Sequence, residues 1–119
     1  MGEDKRLCAT YLAAMDVLAK PWNGILIAAL EDGPLRFSEI AGRVPDIADR
    51  VLSKRMKELE TRGLVSRHVE PGPPVRVTYA LTEVGRGFRS VADAATKWGE
   101  SLVDTTARKA PAKRAKQRR

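Results

Sequence analysis

The stretch from Asp46 to Leu64 constrains the fold of this chain more than any other. Ala48, Leu52, Met56 and Leu59 recur at spacings of four and three, which puts them on one face of a helix. The opposite face carries Asp49, Arg50, Ser53, Lys54 and Lys57. Thr61-Arg62-Gly63 closes the stretch, with a cation in the last turn and a glycine to leave by. The plainer reading of the polar face is solvated charge. The alternative is a row of donors able to reach phosphates and guanine edges in a major groove.

The segments before it are helical. Leu7 to Ala19 places Leu7, Tyr11, Ala14, Met15 and Leu18 on one stripe. Pro21 is positioned to open a second helix in its first turn. Trp22, Ile25, Leu26, Ala29 and Leu30 form that helix's core face, and Gly33-Pro34 stops it. Ser38 is a candidate N-cap for a short third helix, with Ile40, Ala41 and Val44 apolar. Pro45 and Asp46 turn the chain into the Ala48 helix. Two helices joined by so tight a turn outline a helix-turn-helix.

After Gly63 the period changes. Leu64, Val65, His68 and Val69 lead into Glu70-Pro71-Gly72-Pro73-Pro74, which forbids regular structure. Val75, Val77, Tyr79 and Leu81 then alternate with Arg76, Thr78 and Ala80, the pattern of a strand with one buried face. Two strands around a Pro-Gly tip make a hairpin, and its position makes it a wing. Thr82 can cap a long final helix, with Glu83 in its first turn. Along that helix Val84, Phe88, Val91, Ala95, Trp98 and Leu102 form a heptad-like seam. At roughly 1.5 Å per residue the helix runs about 36 Å, longer than a small domain can cover. A second copy of the chain is the expected partner, with Leu7, Tyr11 and the rest of helix 1 in the same interface.

The expected class is therefore mainly α with a small β-hairpin: a winged helix-turn-helix domain over 1–106 with dimerisation helices at both ends. A basic tail, 107–119, is expected to be disordered when free. Seven of the 22 basic residues fall from Arg108 onward with no acid among them, so the formal charge of +7 belongs to the tail and the body is neutral. Within the body, Arg43 to Arg67 carries seven basic and four acidic residues. The single cysteine rules out an internal disulfide framework and suits a reducing cytoplasm. No apolar run approaches a membrane span, no apolar signal region follows the first residues, and Gly2 lacks the context of a lipidation site.

No set of carboxylates, or of nucleophile, base and orienting group, marks an enzyme, and no cofactor is implied. His68 stands alone, so no metal site is expected. Gly24 and Gly85 lack the strand–loop–helix setting of a phosphate loop. Trp22 and Tyr79 read as core aromatics. Arg55 lies at the core edge and is expected to pair with Glu58 or Glu39.

Taken in order, Cys8, Trp22-Asn23-Gly24-Ile25-Leu26, Asp32-Gly33-Pro34, Arg36-Phe37-Ser38-Glu39-Ile40, Arg50-Val51-Leu52-Ser53, Arg55-Met56-Lys57-Glu58-Leu59-Glu60, Gly63-Leu64-Val65, Arg67, Val77, Tyr79, Leu81-Thr82 and Gly85 resemble the pattern of the HxlR-type winged helix-turn-helix regulators. The resemblance implies a homodimer that binds a double-stranded operator and acts as a transcriptional regulator, most simply a repressor. One departure is Ala48, where that family usually has Ser or Thr as a helix cap.

On such a fold, Arg50, Ser53, Lys54 and Lys57 are the candidate major-groove contacts, and Asp49 could accept from a cytosine amino group. Arg36 and Arg43 are candidates for the DNA backbone, and Arg76 for phosphate or minor groove at the wing. Phe88, Val91, Ala95, Trp98 and Leu102 are the candidate dimer contacts. Cys8 is open between a small core residue and a thiol sensor, a role the resemblance brings in because some HxlR-type regulators sense oxidants or electrophiles through an N-terminal cysteine. The helix N-terminus, Lys5 and Arg6 attract negative charge there, and Glu3 and Asp4 repel it. The competing functions are a sequence-nonspecific architectural DNA binder and a winged-helix protein-interaction module.

Overall fold

The computed structural model describes residues 8–109. They form helices α1 (Ala9–Leu18), α2 (Asn23–Ala29), α3 (Phe37–Arg43), α4 (Asp49–Thr61), α5 (Glu83–Arg86) and α6 (Phe88–Lys109). Strands are β1 (Leu35–Arg36), β2 (Val65–Glu70) and β3 (Arg76–Leu81). The chain up to Gly87 is one compact unit, and α6 belongs to a second. Mostly helix, with α3 and α4 in tandem and a hairpin behind them, this is the expected winged helix-turn-helix.

The core of the first unit gathers Leu26 and Ile27 of α2 and its C-cap Leu30, Ile40 of α3, and Leu52, Met56 and Leu59 of α4, all at most 2% exposed. Each such side chain contributes about 1.5–3 kcal/mol by leaving water. Val44 and Ile47, in the turn between α3 and α4, are also buried. Their backbone is tied by Val44 N–H to Ile40 O at 3.1 Å and Ile47 N–H to Val44 O at 3.2 Å. The turn is thus pinned by apolar anchors, and the angle between the two helices is set by packing.

The sheet has the order β1-β3-β2, antiparallel throughout. Val65 pairs with Leu81 at the buried end and Glu70 with Arg76 at the tip. A hydroxyl welds the wing to α4: Thr82 Oγ1 donates to Gly63 O at 2.6 Å and accepts the Gly85 N–H at 3.0 Å, capping α5. Gly63 leaves α4 with φ +82, the left-handed geometry that favours glycine. Gly85 is needed for a different reason: a Cβ there would collide with the Leu64 carbonyl oxygen.

Several expectations are corrected. α1 begins at Ala9, and none of its residues is buried; Tyr11 and Leu18 are 43% and 39% exposed. Leu7 lies outside the described residues. Pro21 does not open α2, because Trp22 takes a left-handed φ of 79 and the helix starts at Asn23. A bulky residue there costs roughly 1–3 kcal/mol. The Asn23 Nδ2–H bond to Val17 O at 2.9 Å and the Leu26 N–H bond to Trp22 O at 2.9 Å hold it in place. Ile25, expected in the core, is 52% exposed, while Ile27, not expected there, is fully buried. Trp22 and Tyr79 are half-buried rather than core. Ser38 lies inside α3, whose N-cap is Arg36; its N–H donates to Glu39 Oε1 at 2.8 Å. Ala48 is exposed and is the N-cap of α4, off the apolar face. β1, too short to show a period, pairs Leu35 with Tyr79.

The final helix is divided. Thr82 does cap a helix, but α5 ends at Arg86 with Gly87 as its C-cap, and α6 starts anew at Phe88. Val84, expected to begin the seam, therefore sits on α5, 68% exposed. α6 continues through Lys109, into the stretch expected to be tail; 110–119 lie outside the described residues. No single helix among the described residues is long and apolar enough to cross a membrane.

Candidate nucleic-acid interface

α4 is two-faced because its sequence is. Leu52, Arg55, Met56 and Leu59 are buried, and Asp49, Arg50, Ser53, Lys54 and Lys57 are all exposed. The helical repeat brings these five polar side chains onto one surface, as expected. Asp49 sits in the first turn, where a carboxylate suits the helix dipole. No side chain caps α4, since Ala48 has no acceptor to offer.

Arg55 does not belong to that surface. It is 9% exposed, and its Nη1 lies 3.0 Å from Glu58 Oε1, an ion pair without an aligned hydrogen bond at that nitrogen. Its role is to tie one turn of α4 to the next at the edge of the core, as the sequence suggested.

The other three candidate cations sit on separate elements. Arg36 is exposed at the start of α3, and Arg76 is exposed at the start of β3, across from Glu70. Arg43 is exposed at the end of α3, but its Nη1 donates to Ala29 O at 3.2 Å. That bond satisfies a C-terminal carbonyl of α2, so part of the guanidinium is already engaged.

Arg67 belongs with this set and was not singled out as a contact from the sequence. It is exposed on β2 and lines an open groove of about 720 Å³ with Ser53, Lys57, Glu60, Thr61 and Tyr79. The groove joins the polar face of α4 to the sheet, and Lys57 and Arg67 give it two cations. The available signal was a basic residue at an outward position just after the helix, which becomes informative only once the sheet is seen to fold back beside α4.

Cys8 is half-buried and is the N-cap of α1, with its Sγ accepting the Tyr11 N–H at 3.4 Å. On α6, Phe88 is half-buried, Ala95 is exposed, and Val91, Trp98 and Leu102 are 41%, 66% and 47% exposed. Among the described residues, no group of three or more His, Cys, Asp or Glu could hold a metal ion.

Comparison with known proteins places this geometry. A protein of Methanothermobacter thermautotrophicus, described as an HTH-type transcriptional regulator, is 40% identical over 114 residues, 93% of this chain and 86% of its own. Among solved structures, the reduced form of the transcriptional regulator YodB from Bacillus subtilis matches at TM-score 0.74 and 40% identity, covering 79% of this chain and 92% of that one. Its diamide-treated form matches at TM-score 0.71 and 40% identity, over 80% and 94% of the two chains. Its quinone-bound form matches at 0.71 and 37%, over 79% and 99%. The redox regulator HypR in its oxidized form matches at 0.70 and 37%, over 79% and 96%. The model of the HxlR-like helix-turn-helix family matches residues 17–107, a span that takes in the tandem helices, the wing and nearly all of α6, and the chain belongs to that family.

Proposed function

We propose that this protein is a homodimeric, sequence-specific DNA-binding transcriptional repressor of the cytoplasm whose DNA affinity responds to thiol-reactive compounds through Cys8. The observation that carries the DNA reading is the division of α4: its apolar side is sealed in the core and its opposite side presents Asp49, Arg50, Ser53, Lys54 and Lys57 to solvent. Such a helix suits a major groove, with Arg50 and Lys54 reaching base edges and Ser53 and Lys57 nearer phosphate. Arg36, Arg43, Arg67 and Arg76 would hold the DNA backbone around it. Nothing in this reading calls for catalysis or a cofactor.

The dimer is supported by the exposed seam of α6, since Trp98 and Leu102 would otherwise leave a large apolar surface in water. The thiol response is supported by the diamide-treated and quinone-bound forms known for the similar regulator YodB, and by the half-buried Cys8 at a helix terminus. The basic tail favours a second contribution, sequence-independent attraction to phosphate.

The test is competition. A duplex taken from upstream of the chain's own gene should displace labelled operator at least tenfold better than random duplex of equal length. Equal competition would favour the architectural reading, and no binding to any duplex would favour a protein-interaction module.

A further inference from the structure

The sheet face that meets α4 changes character as it leaves the core. Residues directly opposite on antiparallel strands share a face, and the face repeats at every second residue. Its first pair, Val65 and Leu81, is buried. The next pair is Arg67 and Tyr79, one exposed and one half-buried, and both line the open groove beside α4. Val69 and Val77 follow toward the tip. A strand built only for packing would carry aliphatic residues at all three steps; this one interrupts them with a cation and a phenol where the groove opens.

Across the groove stand Ser53, Lys57 and Glu60, spaced by four and three and so on one stripe of α4. That stripe flanks the one formed by Arg50 and Lys54. A helix of ~10–12 Å diameter fills a major groove ~12 Å wide, so its flanks meet the sugar–phosphate walls. The groove lies where a backbone strand would pass. Its donors are idle: among the described residues, the side chains of Ser53, Lys57, Arg67 and Tyr79 make no hydrogen bond or ion pair. Thr61 differs, its Oγ1 donating to Lys57 O at 2.9 Å. Two cations against the one carboxylate of Glu60 leave the groove positive. Tyr79 sits on the central strand, paired with Leu35 on one side and Arg67 on the other, so its hydroxyl is a donor that costs little entropy to fix.

We infer that this groove seats one phosphodiester of the DNA backbone, with the Tyr79 hydroxyl donating to a non-bridging oxygen whose charge Arg67 and Lys57 offset. Tyr79 is thus a DNA-contact residue as well as a packing one. The contact anchors the flank of α4 on one strand and carries no base information. This assignment rests on the DNA reading proposed above and names the group that the flank of α4 holds.

The experiment measures binding of the full-length protein to two duplexes, one from upstream of its own gene and one random, across a range of salt. Tyr79→Phe keeps the ring and removes only the hydroxyl. It should weaken binding to both duplexes equally, by about threefold to tenfold, as the loss of one hydrogen bond implies, and leave the salt dependence unchanged because no charge is lost. Arg67→Gln should also weaken both, and reduce the salt slope by about one. Methylphosphonate substitution, one phosphate at a time along the upstream duplex, then locates the contact. At one position per half-site the wild type should lose about fivefold or more, and Tyr79→Phe less than about twofold, since its partner is already gone. Glu60→Gln, at an exposed position, should tighten binding to both duplexes by about twofold, and decides the matter should Tyr79→Phe fold poorly. Wild-type affinity in Tyr79→Phe, a methylphosphonate profile identical in the two proteins, or indifference to Glu60→Gln would overturn the inference. Preference for the upstream duplex over the random one is read in the same titrations: if it persists in those cases, the DNA reading stands without this contact, whereas a wild type that binds neither duplex would overturn both.

Discussion

Cys8 Sγ accepts the Tyr11 N–H at 3.4 Å, so the only cysteine of the chain is also the cap of its first helix. Chemistry at the sulfur and the order of the first turn of α1 are therefore one event. Alkylation or a mixed disulfide would move the acceptor away from the Tyr11 N–H and unsettle α1 where it begins. Cys8→Ser keeps an acceptor in place, whereas Cys8→Ala removes it at a cost of about 1 kcal/mol. Hydrogen exchange at the Tyr11 amide should accelerate in Cys8→Ala and in the diamide-treated wild type, and stay near the wild-type rate in Cys8→Ser. Operator binding should fall on treatment of the wild type and not of Cys8→Ser. Identical responses from both proteins would leave the thiol a capping residue only.

Arg50→Ala and Lys54→Ala should narrow the gap between operator and random DNA, by about 1–3 kcal/mol for a side chain that reads a base. Removing Arg108 to Arg119 should instead weaken binding to every duplex and flatten the dependence of affinity on salt. Arg67→Ala should behave like the tail deletion, lowering affinity without changing preference. Salt titrations on two duplexes separate the two behaviours.

Trp98→Ala should weaken the dimer by about 2 kcal/mol or more, because a large aromatic buried at an interface is a frequent centre of binding energy. Trp98 is 66% exposed in the single chain, so the monomer's own fold should be little changed. Sedimentation equilibrium checks this, and a wild-type monomer at micromolar concentration would refute the dimer.

The unsealed start of α4 makes a prediction of gain. Ala48→Ser supplies the missing cap and should raise stability by about 1 kcal/mol. Gly85→Ala should act in the opposite direction and more strongly, since its Cβ must push against the Leu64 backbone. Urea unfolding of the two variants gives both signs.

What the sequence disclosed and what it hid follow from the range of the forces involved. The register of α4 was legible because Leu52, Met56 and Leu59 repeat with the helix, and burial enforces that repeat. The wing was legible because Val77, Tyr79 and Leu81 alternate and Pro71 to Pro74 interrupt. The start of α2 was not. Pro21 is a good first-turn residue locally, but the tertiary bond from Asn23 to Val17 O draws Trp22 into a left-handed turn instead. The break at Gly87 was hidden because the apolar spacing runs through it unchanged. Arg67 was hidden as a site residue because its relation to Ser53 and Lys57 exists only after β2 folds back beside α4. The polar face of α4 was thus readable residue by residue, and its flanking contacts needed the fold.

The central claim is that two copies of α4 read two half-sites. Its most direct measurement is a footprint of the full-length protein on the DNA upstream of its own gene. The account predicts two protected segments about one helical turn apart or somewhat more, related by a pseudo-palindrome, lost with Arg50→Ala at a concentration where tail-deleted protein still protects them. Uniform protection without discrete half-sites, or a footprint that survives Arg50→Ala and vanishes with the tail, would contradict it.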